Sequence, residues 1–221
     1  MITRLPGWVW PVAWLLAFDA GAVNAIGLLG AAHQAVSHLT GTTSLLATAV
    51  AAGKTAEIAR YAGVALAFVA GAAISGAVIP GDPLHLGKRQ SALLLGVAAL
   101  MFAAQWHFAN GGAAALHFAA AACGLQNAMT TSYSGAVVRT SHVSGMFTDV
   151  GIALGHVLRR APVHPRRLLL CTVVIAGFFA GGLAAALAFA RVGYAALSLP
   201  AALTTGLAIV NAVHVLRRRR L

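Results

Sequence analysis

From Trp8 to Leu216 the chain is a succession of apolar runs, most of them long enough to cross a bilayer, with charges gathered between them. A soluble fold cannot be written this way. Only 9% of the residues are charged and 60% are hydrophobic, where a soluble domain carries roughly a quarter charged. The chain reads as an all-α integral membrane protein, a single membrane domain over residues 1–221.

The runs are about Trp8–Ala31, Val36–Gly53, Ile58–Ile79, Ser91–Phe108, Ala113–Gly135, Ser141–Leu158, Leu168–Ala190 and Gly193–Leu216. That makes about eight hydrophobic helical segments, the second and sixth being short. Trp8, Trp10 and Trp14 place aromatic rings near an interface, and Pro80-Gly81-Asp82-Pro83 is the clearest turn. Ala13, Ala17, Ala20, Gly21, Asn24 and Gly27 line one side of the first helix and invite close approach of another. Cys123 and Cys171 both lie in apolar helices, so they offer neither a disulfide framework nor a metal spacing. No signal peptide is evident, because the first run is long and contains Asp19.

Three blocks recur in order. Asn24-Ala25 matches Asn127-Ala128, Ser37-His38-Leu39-Thr40-Gly41 matches the start of Thr140–Asp149, and Phe68–Ala72 matches Phe178–Gly182, at separations of 103, 104 and 110 residues. The order implies internal duplication, with pseudo-symmetric repeats over about 8–108 and 113–216. In an apolar chain such duplication points to a bundle with a polar site between its halves.

Whether the two short helices span decides the symmetry. If they span, eleven Lys and Arg residues lie inside and four outside (Lys88, Arg89, Arg139, Arg191). If they are re-entrant, six full spans remain and the halves are inverted. Twelve then lie inside and three outside (Lys54, Arg60, Arg191). The positive-inside rule does not separate these counts, but both put the two termini in the cytoplasm of a cell inner membrane. The formal net charge of +11 is thereby a topology signal, and nucleic acid is not expected as a partner.

The chemistry lies in polar residues placed in hydrocarbon. Asp19 falls near mid-membrane, where an ionisable group costs a few kcal/mol or more unless it is paired, neutralised or wet. It either serves function or fixes helix packing. Asn24 and Asn127 either line a shared cavity or act as interhelical glue. His142, Asp149 and His156 are spaced by seven residues on one helix face, roughly 10 Å apart at 1.5 Å per residue, so a shared metal is not expected and a proton path fits better. Thr40-Gly41 and Ser144-Gly145 open the short helices with good capping residues alongside His38. Starts lying inside the membrane would offer N–H groups and a positive dipole end to an anion or carbonyl.

Asp19-Ala20, His38-Leu39-Thr40-Gly41, Cys123-Gly124-Leu125-Gln126-Asn127-Ala128 and Ser141-His142-Val143-Ser144-Gly145-Met146-Phe147-Thr148-Asp149 together resemble the motifs of the YoaK-like bacterial membrane proteins, a domain of unknown function (number 1275). The chain departs from the pattern in having Thr42 where the family tends to show Asn, and Ser144 where it tends to show Thr. The resemblance covers nearly the whole chain and implies a polytopic inner-membrane protein, without a reaction or substrate.

Three classes of function follow. A transporter or channel for a small solute or ion accounts for the duplication, the buried acids and the short helices. A membrane scaffold accounts for the small-residue faces but gives Asp19 and Asp149 no task. A membrane-embedded enzyme is not expected, since no nucleophile–base pair or cofactor fingerprint is present. The expected partners are the bilayer, a small solute or ion and a second copy in a homodimer, with no cofactor.

Overall fold

The structure, a computed structural model, describes residues 6–30, 33–79, 87–134 and 140–218. Arg4, the Pro80–Pro83 turn, Arg139, Arg219 and Arg220, and the expected helix ends at Ala31 and Gly135 lie outside the described residues. The described residues form helices and connecting turns, with no strand among them. In chain order the helices are α1 (Val9–Leu29), α2 (Leu39–Ala51), α3 (Thr55–Val78), α4 (Lys88–Ala109), α5 (Ala115–Ser134), α6 (Val143–Leu158), α7 (Pro165–Val192) and α8 (Ser198–Arg218), with a 3-10 turn at Gly193–Leu197 before α8.

Local chemistry sets the boundaries. Pro165 opens α7, where its missing N–H has no intrahelical use, and Pro200 sits harmlessly in the first turn of α8 for the same reason. Gln90 Oε1 accepts the Gly87 N–H at 2.8 Å and starts α4 three residues earlier than the apolar run suggests. Between α4 and α5, Gly111 takes a φ of 67° and lets the chain reverse at once. The Ser/Thr caps expected for α2 do not form. Its N-cap is His38, whose side chain makes no capping bond, because Ser37 is turned back onto α1.

Glycine determines the closest helix contacts. A Cβ on Gly21 would overlap the main chain at Phe178, and Cβ atoms on Gly177 and Gly181 would overlap the main chain at Trp14 and Phe18. α3 and α5 repeat the arrangement, with Gly124 against the Phe68 carbonyl and Gly71 against that of Ala121. Backbones this close gain dispersion contact over their whole length, which is how helices associate where no hydrophobic effect drives them together.

Those contacts also fix the helix directions. Trp14 meets Gly177 and Ala25 approaches Gly182, so α1 and α7 run parallel; Gly63 meets His117 and Gly71 meets Ala121, so α3 and α5 run parallel. α4 and α5 are antiparallel, with the His107 and Phe118 rings stacked at 5.0 Å near their joining turn and Gly96 against Leu125 further along. α4 and α8 are antiparallel too. Phe108 stacks on Tyr194 at 4.6 Å at one end, while Asn211 donates to Ser91 Oγ and the Gly87 carbonyl at the other. Finally α8 is antiparallel to α1, since Gly30 lies on Tyr194 and Asp19 on Thr204. Thus α1, α4 and α7 point one way and α3, α5 and α8 the other.

The directions constrain the two short helices. α3 starts at the end of the bundle where α1 stops, so the segment carrying α2 leaves and returns at that end. α7 likewise starts where α5 stops, and α6 returns at the opposite end. The path of α2 is visible in detail. The Gln34 N–H donates to the Gly27 carbonyl at 3.1 Å, and the Ser37 N–H and Oγ both reach Asn24 Oδ1 at 3.2 Å. Residues 33–38 therefore run back along α1, and His38 arrives edge-on against Phe178, beside Gly21. That is nine residues from Gly30, about 14 Å of helix.

The outer faces are apolar. Leu66, Val69 and Ile74 on α3, Phe179, Leu183 and Leu187 on α7, and Ile209 and Val210 on α8 are all exposed. Val9–Leu29, Thr55–Val78, Lys88–Ala109 and the continuous stretch Pro165–Arg217 are long and apolar enough to cross a membrane. A surface of this kind suits lipid and not water.

Candidate functional site

α1 is the central helix, packed by α7, α8 and α5, and Asp19 lies on it with no solvent-exposed surface. Its Oδ2 accepts the Thr204 hydroxyl of α8 at 2.7 Å, and its Oδ1 is buried without a hydrogen-bond partner. Neither ion pair found among the described residues involves it. Cys123 on α5 is within electrostatic reach. Three residues on, Gln126 donates through Nε2 to the Leu16 carbonyl at 2.8 Å, joining α5 to α1 one turn before Asp19. A carboxylate here carries several kcal/mol of desolvation without a counter-charge. The neutral acid leaves one hydrogen bond unmade, about 1–3 kcal/mol.

Asn24 sits higher on α1 and staples the returning segment through Ser37. Gln34 of that segment donates to Thr42 Oγ1 at 3.4 Å, leaving its own Oε1 buried and unpartnered. His38 is half-buried, its ring edge-on to that of Phe178. Thr40 and Gly41, in the first turn of α2, face outward. On α5, Asn127 has a buried Oδ1 without a hydrogen-bond partner, while its carbonyl accepts the Thr130 and Thr131 hydroxyls.

Asp149 has a different setting. Arg167 of α7 grips it in a fork, Nη2 to Oδ1 at 2.8 Å and Nε to Oδ2 at 3.1 Å, with Cys171 Sγ 3.9 Å from Oδ2. His142 is the N-cap of α6 without a capping bond, its ring lying over Gly145; Ser144 is exposed and its carbonyl accepts the Thr148 hydroxyl. His156 reaches the Pro162 carbonyl. The seven-residue row on α6 is thus divided among separate partners. No group of three His, Cys, Asp or Glu side chains among the described residues is arranged to hold a metal.

Residues 12–210 match the family described as protein of unknown function (DUF1275). The chain belongs to that family. The comparisons find no similar curated protein and no similar solved structure.

The DUF1275 match spans Asp19, Asn24, Asn127 and Asp149, and also Thr204. Thr204 is the residue that reading the sequence missed. In Ala-Leu-Thr-Thr-Gly-Leu it is one hydroxyl of two on an apolar helix, and only the antiparallel seating of α8 on α1 singles it out from Thr205, which bonds its own helix at Ala201. Gln126 was visible within a motif, but its reach to the Leu16 carbonyl depends on a crossing that no local pattern encodes.

Proposed function

We propose that the protein is an inner-membrane transporter or channel for a small solute or ion, built from two inverted repeats of three spans and one re-entrant helix each. The observation that carries this is the return of α2 and α6 to opposite ends of the bundle, with the start of α2 reaching His38 and Phe178 deep along α1 and α7. Re-entrant helices in carriers end where a substrate waits, because broken helices expose backbone N–H and C=O groups in hydrocarbon only where a cavity or protein satisfies them.

The glycine contacts support the repeat. Gly21 and Gly124 are 103 residues apart, as are Asn24 and Asn127, and Gly71 and Gly181 are 110 apart, as are Phe68 and Phe178. Exchanging the halves turns the α1/α7 contact into the α5/α3 contact. Each repeat therefore lends its first helix to the other's third, and neither half packs alone. α5 brings polar groups into the interior, with Gln126 and Thr130 buried and the Asn127 amide oxygen buried beside them. With six spans, twelve Lys and Arg residues share the side of both termini, which supports cytoplasmic termini in this reading.

One observation favours the scaffold instead: Asp19 has no accessible surface. Two experiments separate the readings. Single cysteines at Lys54 and Arg160 in a background without Cys123 and Cys171 are expected to label from opposite faces of the membrane; labelling from one face sinks the inverted topology. A thermal-shift screen of small metabolites and ions, followed by liposome uptake of each hit, is expected to return a transported solute, and a scaffold returns none. We also place a homodimer in this reading, tested by mass measurement in native lipid, where monomer alone at working concentration excludes it.

A further inference from the structure

The body consists of helix pairs held in different ways. α1/α7 and α3/α5 are locked by glycine against main chain, and α4/α8 by Asn211 at one end and the Phe108–Tyr194 ring stack at the other. The face between α1 and α8 is joined by side chains, and at its centre the Thr204 hydroxyl meets the one carboxyl that, among the described residues, is buried in the bundle with an oxygen left over. Unlike α1/α7, this face parts without pulling glycine from backbone, and unlike α4/α8 it carries a buried acid.

We propose that Asp19 holds an exchangeable proton, that the protonated form closes α8 over α1, and that release of the proton opens this face to water. Among the described residues, the surroundings offer a charge at Asp19 no cation to pair with. On α5 the titratable neighbour is the Cys123 thiol. α7 carries no titratable residue between Cys171 and Arg191, and α8 none between Ser198 and Val213, where Thr204 is the contact. Tyr194 of the 3-10 turn lies against Gly30 at the end of α1, and His38 packs on the ring of Phe178. A carboxylate among these groups is relieved only by water, and water enters only as α8 moves away. The step is a simple transfer: the carboxyl O–H bond breaks, the proton passes to an entering water molecule, and the carboxylate stays solvated by water and the Thr204 hydroxyl.

For its use in transport the proposal rests on the carrier reading, but its test requires no solute. Cys123 is buried beside Asp19 and serves as a native reporter of opening. The full-length protein in lipid nanodiscs is treated with a small thiol reagent at stepped pH, and modification of Cys123 is resolved from that of Cys171 by peptide mass spectrometry. In the wild type, labelling of Cys123 is expected to rise with pH more steeply than in Asp19→Asn, by up to about tenfold per pH unit, the most that one proton gives. Like charge between an Asp19 carboxylate and the Cys123 thiolate can only flatten the wild-type slope, so a steeper wild-type slope reports opening and not the thiol's own titration. Thr204→Val keeps the acid and weakens the closed state, so it is expected to label faster at every pH with the wild-type slope retained. Equal slopes in wild type and Asp19→Asn overturn the proposal, as does a Thr204→Val protein that labels no faster than wild type. Liposome uptake can fail while the labelling succeeds; that outcome rejects the carrier and keeps the proton.

Discussion

Asp19 and Asp149 are acids on helices of different rank. Asp19 sits on the most enclosed helix, 0% exposed, with one hydroxyl for company. The Asp149 side chain keeps 24% of its surface and faces a forked guanidinium that is itself 54% exposed. The difference lies in depth. Arg167 lies in the first turn of α7, where a long cationic side chain keeps its head near water, whereas a cation at the level of Phe178 would itself have to be desolvated. An acid near the rim is neutralised by a partner, and an acid at the centre by a proton or not at all.

The contrast breaks most completely if the packing that hides Asp19 is destroyed. Gly181→Leu forces a side chain into the main chain at Phe18, and α1 and α7 cannot then approach. Overpacking against backbone has no soft direction and costs at least about 1–3 kcal/mol. The expected result is loss of the monodisperse peak on size exclusion. Recovery at wild-type yield and melting temperature would mean that the α1/α7 contact does not hold the bundle.

A smaller perturbation separates the two oxygens of Asp19. Thr204→Val leaves both without a donor and is expected to lower stability by about 1–3 kcal/mol. Asp19→Asn keeps an oxygen for the Thr204 hydroxyl, and its expected loss is below about 1 kcal/mol. Melting curves in nanodiscs compare them, and the order reversed would show that the carboxyl itself, and not its hydrogen bond, holds α8.

How much of this was legible beforehand follows from what each signal encodes. Helix lengths came through because apolar runs must match a bilayer, and the edges moved by a few residues where Pro165 or Gln90 fixed them. Gly21 read as a close-approach residue, and Phe178 is what approaches. The direction of the short helices was not legible. The charge counts differ by a single residue between the two topologies, and the information sits in pairings such as Asn24 with Ser37. Asp19 stood out by type and depth alone. Thr204 and the Arg167 grip on Asp149 did not, because each joins helices that neighbour in space and not in sequence.

The smallest expected effect is at the rim, and it tests whether Asp149 differs in kind from Asp19. A partly exposed ion pair is worth up to about 1 kcal/mol, even with forked geometry. Arg167→Gln leaves the Asp149 carboxylate beside Cys171 with its cation removed, whereas Asp149→Asn leaves a guanidinium that is already half in solvent. Arg167→Gln is therefore expected to be the costlier of the two, with the double variant no worse than Arg167→Gln alone, since the pair acts as a unit. Raising the salt concentration should shrink the loss, because the charges are within reach of counter-ions. The measurement is a double-mutant cycle of melting temperatures at low and high salt. A loss above about 2 kcal/mol that salt does not touch exceeds what an exposed pair supplies. It would place Asp149 in the same dry class as Asp19 and remove the contrast of rim and centre.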